Sequence, residues 1–345
     1  MFDDLFVAPF LTAVALTVCF CFLAVSIPIF RQRMWRTGER HKEKKFLPRL
    51  GGIAMCLALL GAVFLDNHLV MTREIIGLLV ASGIACLFGL WDDFYELSYK
   101  AQGLLQVALT FILFIFGMRI TSLRNPFGTT LMFSEQGMLS VLISFFLLLV
   151  WIILVMNAVN WLDGLDGLLG GVSTIVFLVV FFLSLKPEVN QPPIAILAII
   201  AAGVAIGFLF FNLHPARILA GTSGSMLLGL LITALAVIAG TKIATALLVL
   251  SLPVADALWV VGERLWSGQS IFHPDRRHLH YKLRELGWSE GRIAGFFFLL
   301  TALIGVIALS TQSLGKFIAF SLVMALTFPF LFFVAHRTKK RQLSP

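Results

Sequence analysis

The stretch FFLLLVWIILVM, residues 145–156, decides the fold class because it is apolar on every side of a helix. It lacks the alternation of apolar and polar residues that marks a strand of a membrane β-barrel. A bilayer core about 30 Å thick needs roughly 20 apolar residues per helix, and the chain has eleven such stretches. They cover about 5–30, 50–65, 75–91, 103–117, 138–156, 168–185, 193–211, 225–239, 243–261, 293–310 and 317–335. We predict an all-α integral membrane protein, a bundle of about eleven transmembrane helices.

The composition agrees with this prediction. Of the 345 residues, 59% are hydrophobic and 13% are charged, against roughly 45–50% and about 25% in a soluble domain. No soluble fold hides that much apolar surface. The connecting loops are short and leave little room for a separate extramembrane domain, so we predict one polytopic domain over residues 1–345.

The basic residues predict the orientation of the chain. With the N-terminus outside and the C-terminus in the cytoplasm, 20 of the 26 Lys and Arg fall on the cytoplasmic side, as the positive-inside rule expects. The net charge of +8 follows from this topology and from anionic lipid, so no nucleic-acid partner is predicted. We expect a multi-pass protein of the cell membrane, with its chemistry on the cytoplasmic side. The cytoplasmic loops are 31–49, 92–102, 157–167, 212–224 and 262–292.

A pair of acidic residues lies at the end of the third apolar stretch. Asp92 and Asp93 follow this stretch directly, and Lys100 comes eight residues after the first of them. Adjacent carboxylates at a membrane boundary repel each other and favour a nearby cation. A helix cap beside a solvated charge is the alternative interpretation.

The segment NAVNWLDGLDGLLGG, residues 157–171, places four oxygen-bearing side chains at intervals of three. Asn157, Asn160, Asp163 and Asp166 would share one face of a helical turn. Four oxygen donors suit a hard cation or a polar ligand. Helix capping is the alternative, but it needs only one such residue.

The segment FNLHPARILAGTSGS, residues 211–225, combines Asn212 with a glycine and serine turn that opens the next apolar stretch. Such a turn presents backbone N–H groups to an anion. An ordinary helix start explains the same residues.

The longest loop contains SIFHPDRRHLHYKL, residues 270–283, in which Arg276, Arg277, His278 and His280 are crowded together. Arginines beside histidines favour a polyanionic ligand over a metal. Membrane anchoring accounts for the arginines but not for the histidines.

Another basic run covers residues 31–49. Anchoring to anionic lipid explains most of it. Lys45 and Arg49 lie nearest the second apolar stretch, so we expect them to contact a lipid phosphate.

Together these motifs resemble the polyprenyl-phosphate sugar-1-phosphate transferase family over nearly the whole chain, in their order and in their predicted side of the membrane. The motifs are PRLGGIAM, DDFYELS, NAVNWLDGLDGL, FNLHPARILAGTSGS, PVADAL and PDRRHLH. The last of these looks like the N-acetylhexosamine branch rather than the pentapeptide branch. The resemblance implies transfer of a sugar 1-phosphate, N-acetylglucosamine 1-phosphate or a related one, from a UDP-N-acetylhexosamine to undecaprenyl or another polyprenyl phosphate. UMP is released in this first membrane step of cell-envelope glycan synthesis.

The resemblance also implies a cofactor and a set of site residues. The cofactor is Mg²⁺, with Mn²⁺ as an alternative, and a homodimer is left open. The implied catalytic residues are Asp92, Asp93, Asp163 and Asp166. The implied substrate-binding residues are Lys45, Arg49, Lys100, Asn157, Asn160, Asn212, Arg276, Arg277, His278 and His280. The implied metal ligands are Asp93, Asn160, Asp163 and Thr222.

Several positions depart from the family pattern, among them a displaced histidine before PRLGG and Tyr281 in place of the third histidine of the last motif. Thr222 stands where the family usually has a metal-binding Asp, and a neutral hydroxyl lacks the charge of a carboxylate. Gln102 stands where a basic residue is common. A family member with an impaired or repurposed site is therefore one alternative function.

A membrane transporter is the alternative of another class. A transporter would place ionisable residues near mid-membrane and would show inverted repeats or broken helices. In this chain the motif carboxylates lie at the ends of apolar stretches and no repeat is visible.

Overall fold

The computed structural model describes residues 3–27, 47–125, 127–133, 137–239, 242–270 and 277–343. These residues are mostly helical. The helices are α1 Ala8–Ser26, α2 Gly51–Leu65, α3 Arg73–Tyr95, α4 Tyr99–Ile115, α5 Met138–Asn160, α6 Leu168–Ser184, α7 Pro192–Asn212, α8 Gly221–Ile238, α9 Ile243–Val249, α10 Ser251–Trp266, α11 Leu279–Glu285, α12 Glu290–Ser310 and α13 Ser313–Leu343. A π-helical turn, Asp3–Val7, precedes α1, and a 3₁₀ turn, Trp161–Gly164, follows α5.

Each of the eleven apolar stretches of the sequence contains helix. Within the described residues, seven helices are long and apolar enough to cross a membrane, or eight if the bent pair α9 and α10 is one span. Three further apolar helices, α2, α4 and α6, are shorter. The all-α membrane class is thus confirmed in its coarse form, while the count of eleven spans and the orientation stay predictions.

The stretch 243–261 is helical but broken. Its two helices meet at an angle of 74° near Leu250. Pro253 lies in the first turn of α10, where it cannot donate the backbone hydrogen bond that would continue α9 into α10. The sequence therefore predicted the extent of this segment but not its bend.

Helix α8 lies at the centre of the bundle. Of its residues 89% are buried inside the protein, against 17% of the most apolar 18-residue stretch of α13. It packs against α2, α3 and α5. The indole N–H of Trp151 on α5 donates to the backbone oxygen of Thr233 on α8 at 3.1 Å. The surroundings of α8 are therefore protein rather than lipid, which makes its first turn suited to a fixed site.

A short hairpin between α4 and α5 was not predicted. Strands Ser122–Arg124 and Thr130–Met132 pair antiparallel, with Leu123 opposite Leu131. The hairpin follows the end of α4 and precedes the start of α5, so it lies at the opposite end of the bundle from the sequence motifs.

The motif segments converge at one end of the bundle. There the ends of α3, α5, α7 and α10 meet the starts of α4, α6, α8 and α11, through the hydrogen bonds described below. The start of α2 joins them, because the N–H groups of Gly51 and Gly52 donate to the backbone oxygens of Leu219 and Ala220 at 3.0 Å.

Candidate active site

The centre of the site is the junction of α3 and α8. Asp93 is 1% exposed, and its Oδ1 accepts the backbone N–H of Thr222 at 2.8 Å. Its Oδ2 accepts the N–H and the hydroxyl of Ser223 at 3.2 and 3.0 Å. The first N–H groups of a helix have no partner within the helix. Asp93 therefore caps α8 from another helix.

Gly221 allows this close approach. It adopts a φ of +69°, and a Cβ at this position would lie less than 3.0 Å from both oxygens of Asp93. A side chain here would both strain the backbone and displace the carboxylate.

Asp92 also contacts Thr222, but at its hydroxyl, and it contacts the start of α4. Its Oδ2 accepts the hydroxyl of Thr222 at 2.6 Å. Its Oδ1 accepts the N–H of Leu97 at 2.9 Å and the amide of Gln102 at 3.1 Å. Thr222 thus lies directly against the acidic pair, and Thr222 and Gln102, which both depart from the family pattern, touch the same carboxylate.

The end of α5 joins this cluster. The Asn160 Oδ1 accepts the hydroxyl of Ser225 at 2.7 Å, and that hydroxyl lies 3.2 Å from the backbone oxygen of Thr222. Asn157, one turn earlier, donates its amide to Gln106 Oε1 at 3.1 Å. Asn160 is therefore part of the polar cluster, while Asn157 joins α5 to α4.

The three-residue register does not continue through the whole motif. Helix α5 ends at Asn160, Asp163 lies half-buried in the 3₁₀ turn, and Leu165 is extended with φ −137° and ψ 143°. Asp166 consequently lies beyond the helical face. The expectation that Asn160, Asp163 and Asp166 share one helical face is corrected in this respect.

Asp166 instead contacts the connection between α7 and α8. Its Oδ2 lies 3.1 Å from His214 Nδ1 and accepts the N–H of Ala216 at 3.1 Å. Glu290 Oε2, at the start of α12, lies 3.3 Å from the same His214 nitrogen. The ligand atoms of Asp166, His214 and Glu290 all lie within 4.8 Å of one another, close enough to share a metal ion.

Asn212 fixes the turn before α6. Its Oδ1 accepts the N–H of Gly167 at 3.0 Å, and its Nδ2 donates to the backbone oxygen of Ile218 at 2.9 Å. Both ends of this buried amide are engaged within the protein. A role in substrate binding stays a prediction.

The histidine segment packs on the 3₁₀ turn. The ring of His278 lies 4.9 Å from that of Trp161 and 6.0 Å from that of His280, centroid to centroid. A Cβ on Gly164 would collide with His280 Nε2 and would lie 2.7 Å from the hydroxyl of Tyr281. The absence of a side chain at position 164 thus lets His280 and Tyr281 pack against the 3₁₀ turn that contains Asp163.

The predicted basic residues differ in their surroundings. Arg49 is buried just before the start of α2. Arg277 donates to Gln269 Oε1 at 2.5 Å, and Lys100 is exposed at the start of α4. Lys45 and Arg276 lie outside the described residues.

Several residues of the site were not singled out from the sequence. Ser223 and Ser225 belong to the recognised turn but carried no assigned role. Asp256 was part of a quoted motif only, although an acidic residue inside an apolar stretch is itself a signal of function. The other residues that sequence reasoning missed are His214 and Glu290, while Gln102 was noted only as a departure from the family pattern. The sequence around Glu290 shows only an ordinary helix start.

Comparison with known proteins places the chain among membrane transferases. The family model described as "Glycosyl transferase family 4" matches residues 75–240. A "Probable undecaprenyl-phosphate N-acetylglucosaminyl 1-phosphate transferase" of Bacillus subtilis is 28% identical, over 92% of this chain and 88% of the relative. A "Decaprenyl-phosphate N-acetylglucosaminephosphotransferase" of Mycobacterium leprae is 32% identical, over 76% and 73%. A "Phospho-N-acetylmuramoyl-pentapeptide-transferase" of Bacillus pumilus is 31% identical, over 78% and 85%.

Proposed function

The chain belongs to glycosyl transferase family 4, and on this premise we propose that it transfers N-acetylhexosamine 1-phosphate from a UDP-linked donor to a polyprenyl phosphate. UMP is the second product. We assign N-acetylglucosamine as the sugar and undecaprenyl phosphate as the acceptor, because the B. subtilis relative carries both in its name. None of the three relatives described above supports the transporter or the impaired-site alternative.

One observation carries this proposal. The two consecutive carboxylates of α3 meet the first turn of α8 at the end of the bundle where the other motifs converge, with Thr222 Oγ1 2.6 Å from Asp92 Oδ2. We infer that this end faces the cytoplasm in the cell membrane, that all eleven apolar segments cross the membrane, and that the N-terminus lies outside. A soluble nucleotide sugar and a membrane-bound phosphate can meet at such an end.

The donor set at the α3–α8 junction fits Mg²⁺, with Mn²⁺ as the alternative. It contains only oxygen ligands, which these hard cations prefer. Asp93 directs three of its hydrogen bonds to α8. We therefore assign the metal to Asp92, Asn160, Asp163 and Thr222, so that Asp92 replaces Asp93 in the set expected from the resemblance. A bound divalent cation would neutralise the charge of the reacting phosphates.

The reaction exchanges one phosphoanhydride for another. An oxygen of the lipid phosphate bonds to the phosphorus that carries the sugar, and the bond from that phosphorus to UMP breaks. A phosphate monoester with a second pKa near 6 is already mostly dianionic at neutral pH. The protein therefore needs to position the acceptor and hold the charge rather than supply a strong base.

The basic residues and histidines take the remaining roles. Arg49, which is buried just before α2, and Lys45 are assigned to the lipid phosphate. The diphosphate or sugar of the donor is assigned to four residues of the histidine segment, because charge-assisted hydrogen bonds to phosphate are strong. These residues are Arg276, Arg277, His278 and His280. Lys100, Asn157 and Asp166 stay as predicted substrate contacts around this centre.

The decisive experiment measures transfer by the purified chain in detergent. Radiolabelled UDP-N-acetylglucosamine, undecaprenyl phosphate and MgCl₂ should yield solvent-extractable labelled lipid and one UMP per lipid. Asp92→Asn should lower the rate by about 10²–10³, as expected when one preorganised electrostatic contact is lost.

A matched control comes from the opposite end of the bundle. Asp66 also accepts backbone N–H groups, those of His68 and Leu69, but lies after the end of α2. Asp66→Asn should keep the wild-type rate. Labelled lipid absent from the wild type, with this donor and with other UDP-N-acetylhexosamines, would contradict the proposed function, and equal rates in both variants would contradict the site.

A further inference from the structure

Asp256 on α10 is buried at 6% exposure, and the proposed reaction does not use it directly. Its Oδ2 lies 3.0 Å from His278 Nδ1, and its Oδ1 accepts the backbone N–H of Leu279 at 2.8 Å. One carboxylate therefore contacts both the ring of the histidine and the start of α11.

The other ring nitrogen of His278 has a different environment. His278 is 2% exposed, and among the described residues its Nε2 has no hydrogen-bond partner. Buried polar atoms in native structures are nearly always paired. An orphaned nitrogen beside a proposed substrate site therefore indicates a partner supplied by the ligand.

The ring itself cannot easily turn away. Its centroid lies 4.9 Å from that of Trp161, at an interplanar angle of 33°, and 6.0 Å from that of His280, at an angle of 4°. Trp161 belongs to the 3₁₀ turn that contains Asp163. Packing thus fixes the plane of the ring, and Asp256 fixes its rotation within that plane.

We propose that Asp256 is a positioning residue that places the ring proton of His278 on Nδ1 and thereby assigns Nε2 to the bound UDP-sugar. A carboxylate can only accept a hydrogen bond, so the nitrogen facing it must carry the proton. Nε2, on the other side of the ring, is then the atom left for the ligand. This inference rests on the proposed function for the identity of that ligand.

Asp256→Asn tests the inference sharply. The amide oxygen can still accept the N–H of Leu279 and keep the start of α11 in place. The amide nitrogen then faces Nδ1 and donates to it, which moves the ring proton to Nε2. The fold is kept and the tautomer is reversed.

Glu263→Gln is the matched control. Glu263 also lies on α10 and accepts from Lys282 Nζ at 2.9 and 3.1 Å, joining α10 to α11 without touching His278. The glutamine keeps one acceptor oxygen for Lys282 but removes the charge of the ion pair, so this variant measures the effect of a weaker contact between the two helices with His278 and Asp256 unchanged.

The first measurement is ¹⁵N NMR of histidine-labelled protein in detergent, with the His278 signals among the seven histidines assigned by their loss in His278→Ala. In the wild type and in Glu263→Gln, Nδ1 should carry the proton and UDP-N-acetylglucosamine should shift the Nε2 signal. In Asp256→Asn, Nε2 should carry the proton instead. A protonated Nδ1 in Asp256→Asn would overturn the proposal. So would a wild-type Nε2 signal whose chemical shift does not change when the UDP-sugar is added.

The second measurement is steady-state transfer. Asp256→Asn should lower kcat/KM for the UDP-sugar by about 10²–10⁴, against less than about threefold for Glu263→Gln, since a reversed tautomer in other enzymes has effects of this size. Equal losses in both variants would overturn the positioning role. Failure of transfer in the wild type, with the NMR response to the UDP-sugar intact, would contradict the proposed function and leave this inference standing.

Discussion

Thr222→Asp introduces a charge at the α3–α8 junction, at a position where this chain has a neutral residue and the family usually has an aspartate. The Thr222 hydroxyl lies 2.6 Å from Asp92 Oδ2, so an aspartate here would face a second carboxylate at about the same place. Two like charges about 4 Å apart repel by about 4 kcal/mol at an effective dielectric constant of about 20. A divalent cation bound between them would remove this repulsion.

The repulsion sets the size of the expected effect. About 4 kcal/mol corresponds to nearly 10³ in a binding constant, which is a ceiling because solvent screens part of the repulsion. We expect the Mg²⁺ concentration for half-maximal rate to fall by about 10–10³, and the rate to rise by about 10²–10³ if the recovered contact acts in the transition state. The backbone N–H of position 222 still donates to Asp93, so α8 keeps its cap.

The assay is transfer of labelled sugar phosphate over a range of Mg²⁺ concentrations, with Thr222→Asn as a neutral control of similar size to the aspartate. The asparagine variant should show no gain in Mg²⁺ affinity. If Thr222→Asp changes neither the Mg²⁺ dependence nor the rate, this turn is not part of the metal site, and its match to the family motif fails.

Three further changes test other parts of the site. Asp93→Asn should lower the free energy of unfolding by about 1–3 kcal/mol, because an amide nitrogen would face a helix N–H that now donates to a carboxylate; an unchanged thermal midpoint in detergent would refute the capping role. His278→Ala should lower the transfer rate far more than His336→Ala in the C-terminal helix. Equal effects would show that the histidine segment does not contact the substrate and that its basic residues serve only to orient the chain in the membrane. Gly164→Ala should lower kcat/KM for the UDP-sugar at least tenfold by displacing His280, and wild-type kinetics would show that the segment packs differently.

The helices could be predicted because their signal is local. A continuous apolar run identifies a helix without knowledge of the rest of the chain, and every predicted stretch contains one. The bend at Pro253 and the hairpin around Leu123 and Leu131 were missed, since a proline in a helix's first turn is common and three-residue strands leave almost no pattern.

The sequence predicted many of the residues of the site but not how they are arranged in space. The spacing of Asn160, Asp163 and Asp166 suggested one helical face, but the extended Leu165 ends that register. The contact between Asp92 and Thr222 joins residues 130 positions apart, and no local pattern encodes such a pairing. The same holds for Asp256 and His278, whose partnership depends on how α10 packs beside the start of α11.

The acidic pair shows how position on a helix gives two chemically identical side chains different contacts and different roles. Neighbouring residues on an α-helix project about 100° apart, so Asp92 and Asp93 reach Thr222 from different sides, Asp93 at its backbone N–H and Asp92 at its hydroxyl. Asp93 faces the backbone of α8 and is almost completely buried, whereas Asp92 faces the hydroxyl of Thr222 and the amide of Gln102. The first arrangement fixes a helix, and the second leaves a carboxylate in contact with neutral side chains that a cation or a phosphate can rearrange. Loss of Asp93 should therefore reduce stability, and loss of Asp92 should reduce turnover in a protein that still folds.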